Sequence, residues 1–255
     1  DVLIGNNAGS SQSGKKNTLI GFKSGMKAGS QNCYFGYKSG IDSGGEQNTI
    51  MGFESGTNIN DNNVVIGASS LTATSLVDIK NNVVVGSNSG KEIKNSGNVY
   101  IGHRSGEFNE GTDNIIIGEC AQSFDKVKNK KTKMNVIIGK GAAQNMITND
   151  NVIIGYNAGG ENTIGGAKNI LIGKESGIGM DGGENIFIGN NSGKESMGSY
   201  NLFMGHNAGE NSKSENNRII IGHMGEEFKE NETGCDVLIG NNAGTLQSGI
   251  KNTLK

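Results

Sequence analysis

A five-residue pattern, Asn-x-Φ-Φ-Gly with Φ apolar, recurs fifteen times along the 255-residue chain and limits what it can fold into. The motif glycines are Gly5, Gly21, Gly36, Gly52, Gly67, Gly86, Gly102, Gly118, Gly139, Gly155, Gly173, Gly189, Gly205, Gly222 and Gly240. Their successive separations are 16, 15, 16, 15, 19, 16, 16, 21, 16, 18, 16, 16, 17 and 18 residues. A unit this short cannot bury a core alone and becomes stable only when neighbours stack on it. Residues 1–255 therefore read as one continuous all-β array, a parallel β-solenoid of about fifteen coils of roughly 16 residues, the longer gaps being insertions.

Composition closes the alternatives. The chain has 43 glycines, no proline and no tryptophan, and 33% of its residues are hydrophobic. Glycine at more than twice its usual share, without a G-X-Y period, excludes collagen. So few apolar residues do not fill an ordinary globular core of this length. A net charge of −2 lacks the charge signature of disorder and offers no field for a nucleic acid or a membrane surface. No apolar run approaches the roughly 18 residues of a membrane span, so no membrane insertion is expected of this segment. Cys33, Cys120 and Cys235 show no paired or CxxC spacing and read as small buried or edge residues. The start at Asp1 reads as an excerpt of a longer polypeptide.

Four residues before the motif glycine stands Asn17, Asn32, Asn48, Asn63, Asn82, Asn98, Asn114, Asn135, Asn151, Asn169, Asn185 or Asn201, with Asp1, Arg218 and Asp236 in the other copies. Asn and Asp bond the nearby backbone in turns, so this position reads as a corner leading into a strand. Stacked coil on coil, the amides are also candidates for a ladder. Three apolar or β-branched residues follow, as in Val64-Val65-Ile66 or Ile115-Ile116-Ile117, and such short runs are strands rather than helices.

Alternation puts the first and third residue of each triplet on one face and the second on the other. Both sets are apolar, and strands apolar on both faces are buried on both. One face fills the coil; the other would leave an apolar stripe far larger than soluble monomers tolerate. Further copies of the same chain are the economical cover. After the motif glycine (Gly21, Gly36, Gly52, Gly67, Gly86, Gly102 and Gly118 among them) come two variable residues, a small Ala or Ser, and usually a second glycine suited to positive φ.

The pattern Asn-x-Φ-Φ-Gly-x-x-[Ser/Ala]-Gly, over the whole chain, resembles the head repeats of trimeric autotransporter adhesins of the YadA type. It is also similar to the Asn-x-x-x-Gly repeats of phage tail fibres. The resemblance implies a left-handed parallel β-roll with three chains side by side, hence a homotrimer. The coils here run slightly long, the second glycine is unusually frequent, and no coiled-coil stalk, neck or anchor is seen. A longer repeat is also present: Asp1–Leu19 recurs as Asp236–Leu254 with three substitutions. Residues 1–235 then form one higher-order tandem unit, and 236–255 begin the next.

Candidate chemistry is sparse. His103, His206 and His223 each follow a motif glycine, and His206 and His223 would stack in consecutive coils. No cysteine or carboxylate shares their position to complete a metal site, so they read as solvent-facing corners and no metal is expected. Phe22, Tyr37 and Phe53 hold the same position in three successive coils, either a packing ladder or a platform for sugars or a partner. Two insertions stand out. Ala68–Lys80 carries Leu71, Leu76, Val77 and Ile79, and Ser123–Met134 carries Lys126, Lys128, Lys130, Lys131 and Lys133. The basic insertion is either a solvated loop or a binder of anionic polysaccharide or a neighbouring fibre.

The calcium-binding nonapeptide, GxSxG, HExxH and P-loop patterns do not occur. No catalytic residues, metal or cofactor are expected. The sequence points to a non-enzymatic structural and adhesive fibre, extracellular or on a cell or virion surface, with a surface glycan or protein as receptor. The alternative is a monomeric solenoid that binds a glycan, lipid or protein on its apolar face.

Overall fold

The computed structural model describes residues 1–73, 78–124, 131–160, 166–212, 216–223 and 237–242, with the backbone of 253–254. It falls into two compact units, Asp1–Lys133 and Met134–Lys255. In the first unit lie β1 (Val2–Ile4), β2 (Thr18–Ile20), β3 (Cys33–Phe35), β4 (Thr49–Met51), β5 (Val64–Ile66), β6 (Val83–Val85), β7 (Val99–Ile101) and β8 (Ile115–Ile117). The second holds β9 (Val136–Ile138), β10 (Val152–Ile154), β11 (Ile170–Ile172), β12 (Ile186–Ile188), β13 (Leu202–Met204), β14 (Ile219–Ile221), β15 (Val237–Ile239) and β16 (Thr253–Leu254). Among the described residues there is no helix. In each unit the strands pair in chain order, all parallel, so each is a β-solenoid with one strand per coil.

Register is uniform. Like positions of the repeat pair with like positions, as in Val64↔Val83, Val65↔Val84 and Ile66↔Val85. A slip of one residue would exchange the two faces of the strand, so the apolar pattern and the coil length fix the register together. The second residue of the triplet points inward. From Leu19 through Tyr34, Val65, Tyr100 and Ile116 in the first unit, and Ile137 through Phe187, Phe203 and Leu238 in the second, these side chains are buried. Leu3 in the first coil, with no coil described before it, is exposed.

The facing wall of the core comes from small residues and the return segment. Ser24, Ser39, Ser105, Ala158 and Ala208 are buried at the turn, and Ala28, Ile59, Ile93, Met146 and Met180 on the return. The turn serines also bond across coils: Ser105 Oγ donates to the Ile116 carbonyl at 2.9 Å, and Ser192 Oγ to the Phe203 carbonyl at 3.0 Å. Return backbone is bonded coil to coil as well, Lys27 N donating to Ser10 O at 3.2 Å and Gln31 N to Lys15 O at 2.9 Å. Main-chain groups outside the strands are therefore satisfied much as those within them are.

The motif glycine is dictated by this stacking. At Gly86 φ is +137°, and a Cβ built there would stand 2.4 Å from the carbonyl oxygen of Gly102, the motif glycine of the next coil. Left-handed backbone is not confined to glycine. The residue two after the motif glycine (Lys23, φ 53°; Lys38, φ 50°) and the residue before the corner Asn (Gln31, φ 61°; Gln47, φ 59°) share it. Inter-coil bonds hold these residues where their own preference would not place them.

Candidate functional site

The corner asparagines form a ladder inside the fold. Oδ1 of Asn17 accepts the backbone N–H of Asn32 at 2.9 Å, and the same bond links Asn32 to Asn48, Asn48 to Asn63 and Asn169 to Asn185 at 2.9 Å. The amide nitrogen turns the other way, to a carbonyl of the return segment: Asn17 Nδ2 donates to Gly29 O at 2.8 Å, and Asn98 Nδ2 to Gly111 O at 3.0 Å. From Asn17 through Asn114 in the first unit and Asn135 through Asn201 in the second, these side chains are buried. Asp1 supplies the same acceptor, to Asn17 N at 2.8 Å. Arg218 N donates to Asn201 Oδ1 at 2.9 Å, but its guanidinium is no acceptor to hand the ladder on. The asparagines are thus the spine of the coil rather than a surface that meets a partner.

The first and third strand residues face out. Val64, Ile66, Val83, Ile101 and Ile115 in the first unit, and Ile138, Ile186, Met204 and Ile239 in the second, are all exposed. In β2–β4 the first position is polar or small (Thr18, Cys33, Thr49), while Phe35 and Met51 at the third leave about half their surface in water, at 52% and 50%. Cys33 is therefore on this outer face and not in the core. It and Cys120 are free thiols, and Cys235 lies outside the described residues.

Beside this face runs the column that follows the motif glycine. Phe22, Tyr37 and Phe53 stack there, with ring centroids 5.3 and 5.0 Å apart and planes within 12° and 8°. Each neighbour occupies a ring face, so the column turns mainly ring edges to water. Lys23 Nζ stands 5.3 Å from the Phe22 centroid and Lys38 Nζ 5.1 Å from that of Tyr37. Lys38 also pairs with Glu54 of the next coil at 2.8 Å, which raises the lysine pKa. Ion pairs from one coil to the next recur at Lys27–Asp42 and Lys168–Glu184. His206 and His223 occupy the aromatic column's position in the second unit; both are exposed, as is His103 in the first.

The insertions divide. Leu71 and Ile79 of the first are buried core residues, while Leu76 and Val77 lie outside the described residues. Sequence reading treats this stretch as a loop, yet its apolar ends complete the solenoid interior. Lys131 and Lys133 of the basic insertion are exposed, and Lys126, Lys128 and Lys130 lie outside the described residues. A groove of about 390 Å³ on the return side is lined by Asp42, Asn58, Asn60 and Asp78, and its two carboxylates are engaged by Lys27 and Lys80.

Two tyrosines of the middle strand column, Tyr34 and Tyr100, are buried. Desolvation raises the pKa of Tyr100 and of Tyr34, in the latter partly offset by Asn48. The Tyr100 hydroxyl has no hydrogen-bond partner among the described residues. Among those residues, no helix is long and apolar enough to cross a membrane, and no group of three or more His, Cys, Asp or Glu residues is placed to hold a metal ion. No family model matches the chain, and no curated protein matches it.

Proposed function

We propose that this chain is a segment of a structural, adhesive fibre, extracellular or on a cell or virion surface, in which three copies pack side by side through the outward sheet face. The coils are left-handed, further tandem units of the same chain extend the fibre, and a surface glycan or protein is its receptor. It performs no catalysis. One observation carries this reading: every outward position of β5–β15 is Val, Ile, Leu or Met, and each of these side chains is exposed or half-buried, none of them covered.

Two such side chains per coil, each leaving on the order of 50 Å² in water, give each unit an apolar stripe of roughly 800 Å². That is the upper end or beyond of what soluble monomers show, and it equals the roughly 800 Å² per partner of a standard specific interface. At about 25 cal/mol per Å², covering it is worth on the order of 20 kcal/mol before the cost of association.

Sedimentation equilibrium of the full chain tests the assembly. A trimer is expected, and Ile66→Lys or Ile101→Lys weakens it at least about tenfold by placing a charge against apolar partners. A stable, soluble monomer that is unaffected by these changes refutes the fibre reading. It would favour the second reading, a monomeric binding solenoid, for which the exposed Phe22–Tyr37–Phe53 column is the supporting feature.

A further inference from the structure

His206 and His223 hold the same repeat position as Phe22, Tyr37 and Phe53, but not in the same geometry. The aromatic rings lie nearly parallel, at 12° and 8°, as simple stacking requires. The imidazoles open to 40° while their centroids stay 5.1 Å apart. Their Nδ1 atoms thereby converge to 3.2 Å, well inside the centroid separation. In this contact an N–H on one Nδ1 points toward the Nδ1 of the other ring, and a metal ion between the two nitrogens can take the place of that proton.

We infer that His206 and His223 bind a divalent transition-metal ion of the imidazole-preferring class, Zn²⁺ or Cu²⁺, through both Nδ1 atoms. A metal about 2.0–2.1 Å from each nitrogen would subtend roughly 100° across this gap. That angle lies between octahedral and tetrahedral, so neither ring has to move far. Each neutral ring then keeps its proton on Nε2 and gives the Nδ1 lone pair to the metal. In the metal-free chain the carbonyl oxygen of His206 accepts the His223 Nδ1–H at 3.3 Å, and metal binding moves that proton to Nε2. Water or an external ligand completes the coordination, since both side chains are exposed.

The backbone holds the chelate ready. β13 and β14 pair in register, Met204 against Ile221, and each histidine sits two residues beyond that pair. Gly222 N donates to Met204 O at 2.8 Å, which fixes the corner between the two coils. Imidazole is a good donor for Zn²⁺ and Cu²⁺, and preorganisation limits the ordering cost of taking both donors at once.

The test is calorimetric titration of the untagged full chain with ZnCl₂, together with electron paramagnetic resonance of its Cu²⁺ form. The expected results are one ion per chain and a Cu²⁺ signal split by two nitrogens. His206→Asn and His223→Asn should each weaken binding at least about tenfold, because each leaves a single donor. His103→Asn, remote in the first unit, should leave it unchanged. Asn already occupies this column at Asn6, Asn190 and Asn241, so the replacements fit the coil, and circular dichroism verifies the fold. Equal affinity in His206→Asn or His223→Asn, a one-nitrogen Cu²⁺ signal, or no binding of either ion at millimolar concentration overturns the inference.

Discussion

Replacing Gly86 by alanine isolates the interaction that sets the coil spacing. The added methyl would stand 2.4 Å from the Gly102 carbonyl oxygen and 2.7 Å from its carbon, both backbone atoms of the next coil. It would also hold a side chain at φ +137°, where L-residues rarely sit. The backbone strain costs about 1–3 kcal/mol, and overpacking against atoms that cannot rotate away costs about 1–3 more. The expected loss is therefore about 2–6 kcal/mol, a large part of the roughly 5–15 kcal/mol that holds a typical domain. Gly44→Ala is the control. It lacks a positive φ, and its nearest neighbour would be Lys27 O at 3.9 Å. That change should stay within about 0.5 kcal/mol of the parent. Urea unfolding followed by circular dichroism reads the difference as a midpoint lower by about 1–3 M for Gly86→Ala. Repeat arrays can depart from two-state behaviour, so native-state hydrogen exchange locates the damage. Protection should fall first at Gly86 N and Gly102 N, which donate to Ile66 O and Val85 O at 2.8 Å. Equal midpoints for the two alanine variants would refute the steric account of the motif glycine.

Asn98→Ala removes an acceptor for Asn114 N at 3.0 Å and donors to Gly111 O and Ser96 O, and should cost about 2–4 kcal/mol in the same unfolding assay. Asn98→Asp should not rescue it: the acceptor returns, but a carboxylate then faces two carbonyls, and full rescue would show that Nδ2 is dispensable. Tyr100→Phe should be neutral or stabilising by up to about 1 kcal/mol, because it deletes a buried hydroxyl without a partner; a loss above that would reveal a bond to the hydroxyl. Burial raises the pKa of Tyr34 and Tyr100 in the folded chain above the unfolded value of about 10. Their contribution is therefore intact below pH about 10 and is lost as the solution becomes more alkaline, since the unfolded chain releases these protons first. Ultraviolet difference titration should show both phenols ionising together with unfolding, and ionisation within a native circular-dichroism spectrum would contradict their burial.

The solenoid is legible in the sequence because stacking turns each local requirement into a column. Gly86 must be glycine because Gly102 lies over it, and the same holds at every coil where one motif glycine meets the next. What was not legible is which apolar face turns inward, since Val64, Val65 and Ile66 are alike in chemistry. Tyr34 and Tyr100 in the middle column even suggest an outward face, yet both are buried. The better signal is the first column, where Thr18, Cys33 and Thr49 interrupt the aliphatics: a position that admits such residues is not walled by neighbours on every side. Left-handed backbone at Lys23 and Gln31 was hidden because their intrinsic preference opposes it, and only the bonds from adjacent coils reveal why it persists. At Leu71 and Ile79, length marks an insertion but not that its ends fold back into the core. The histidine pair shows where sequence reading stops. Equal column positions at His206 and His223 predict neighbouring rings, but a 40° opening that brings two nitrogens to 3.2 Å depends on side-chain torsions that no spacing encodes. Repetition therefore makes the scaffold readable from the sequence and leaves the chemistry mounted on its corners to the coordinates.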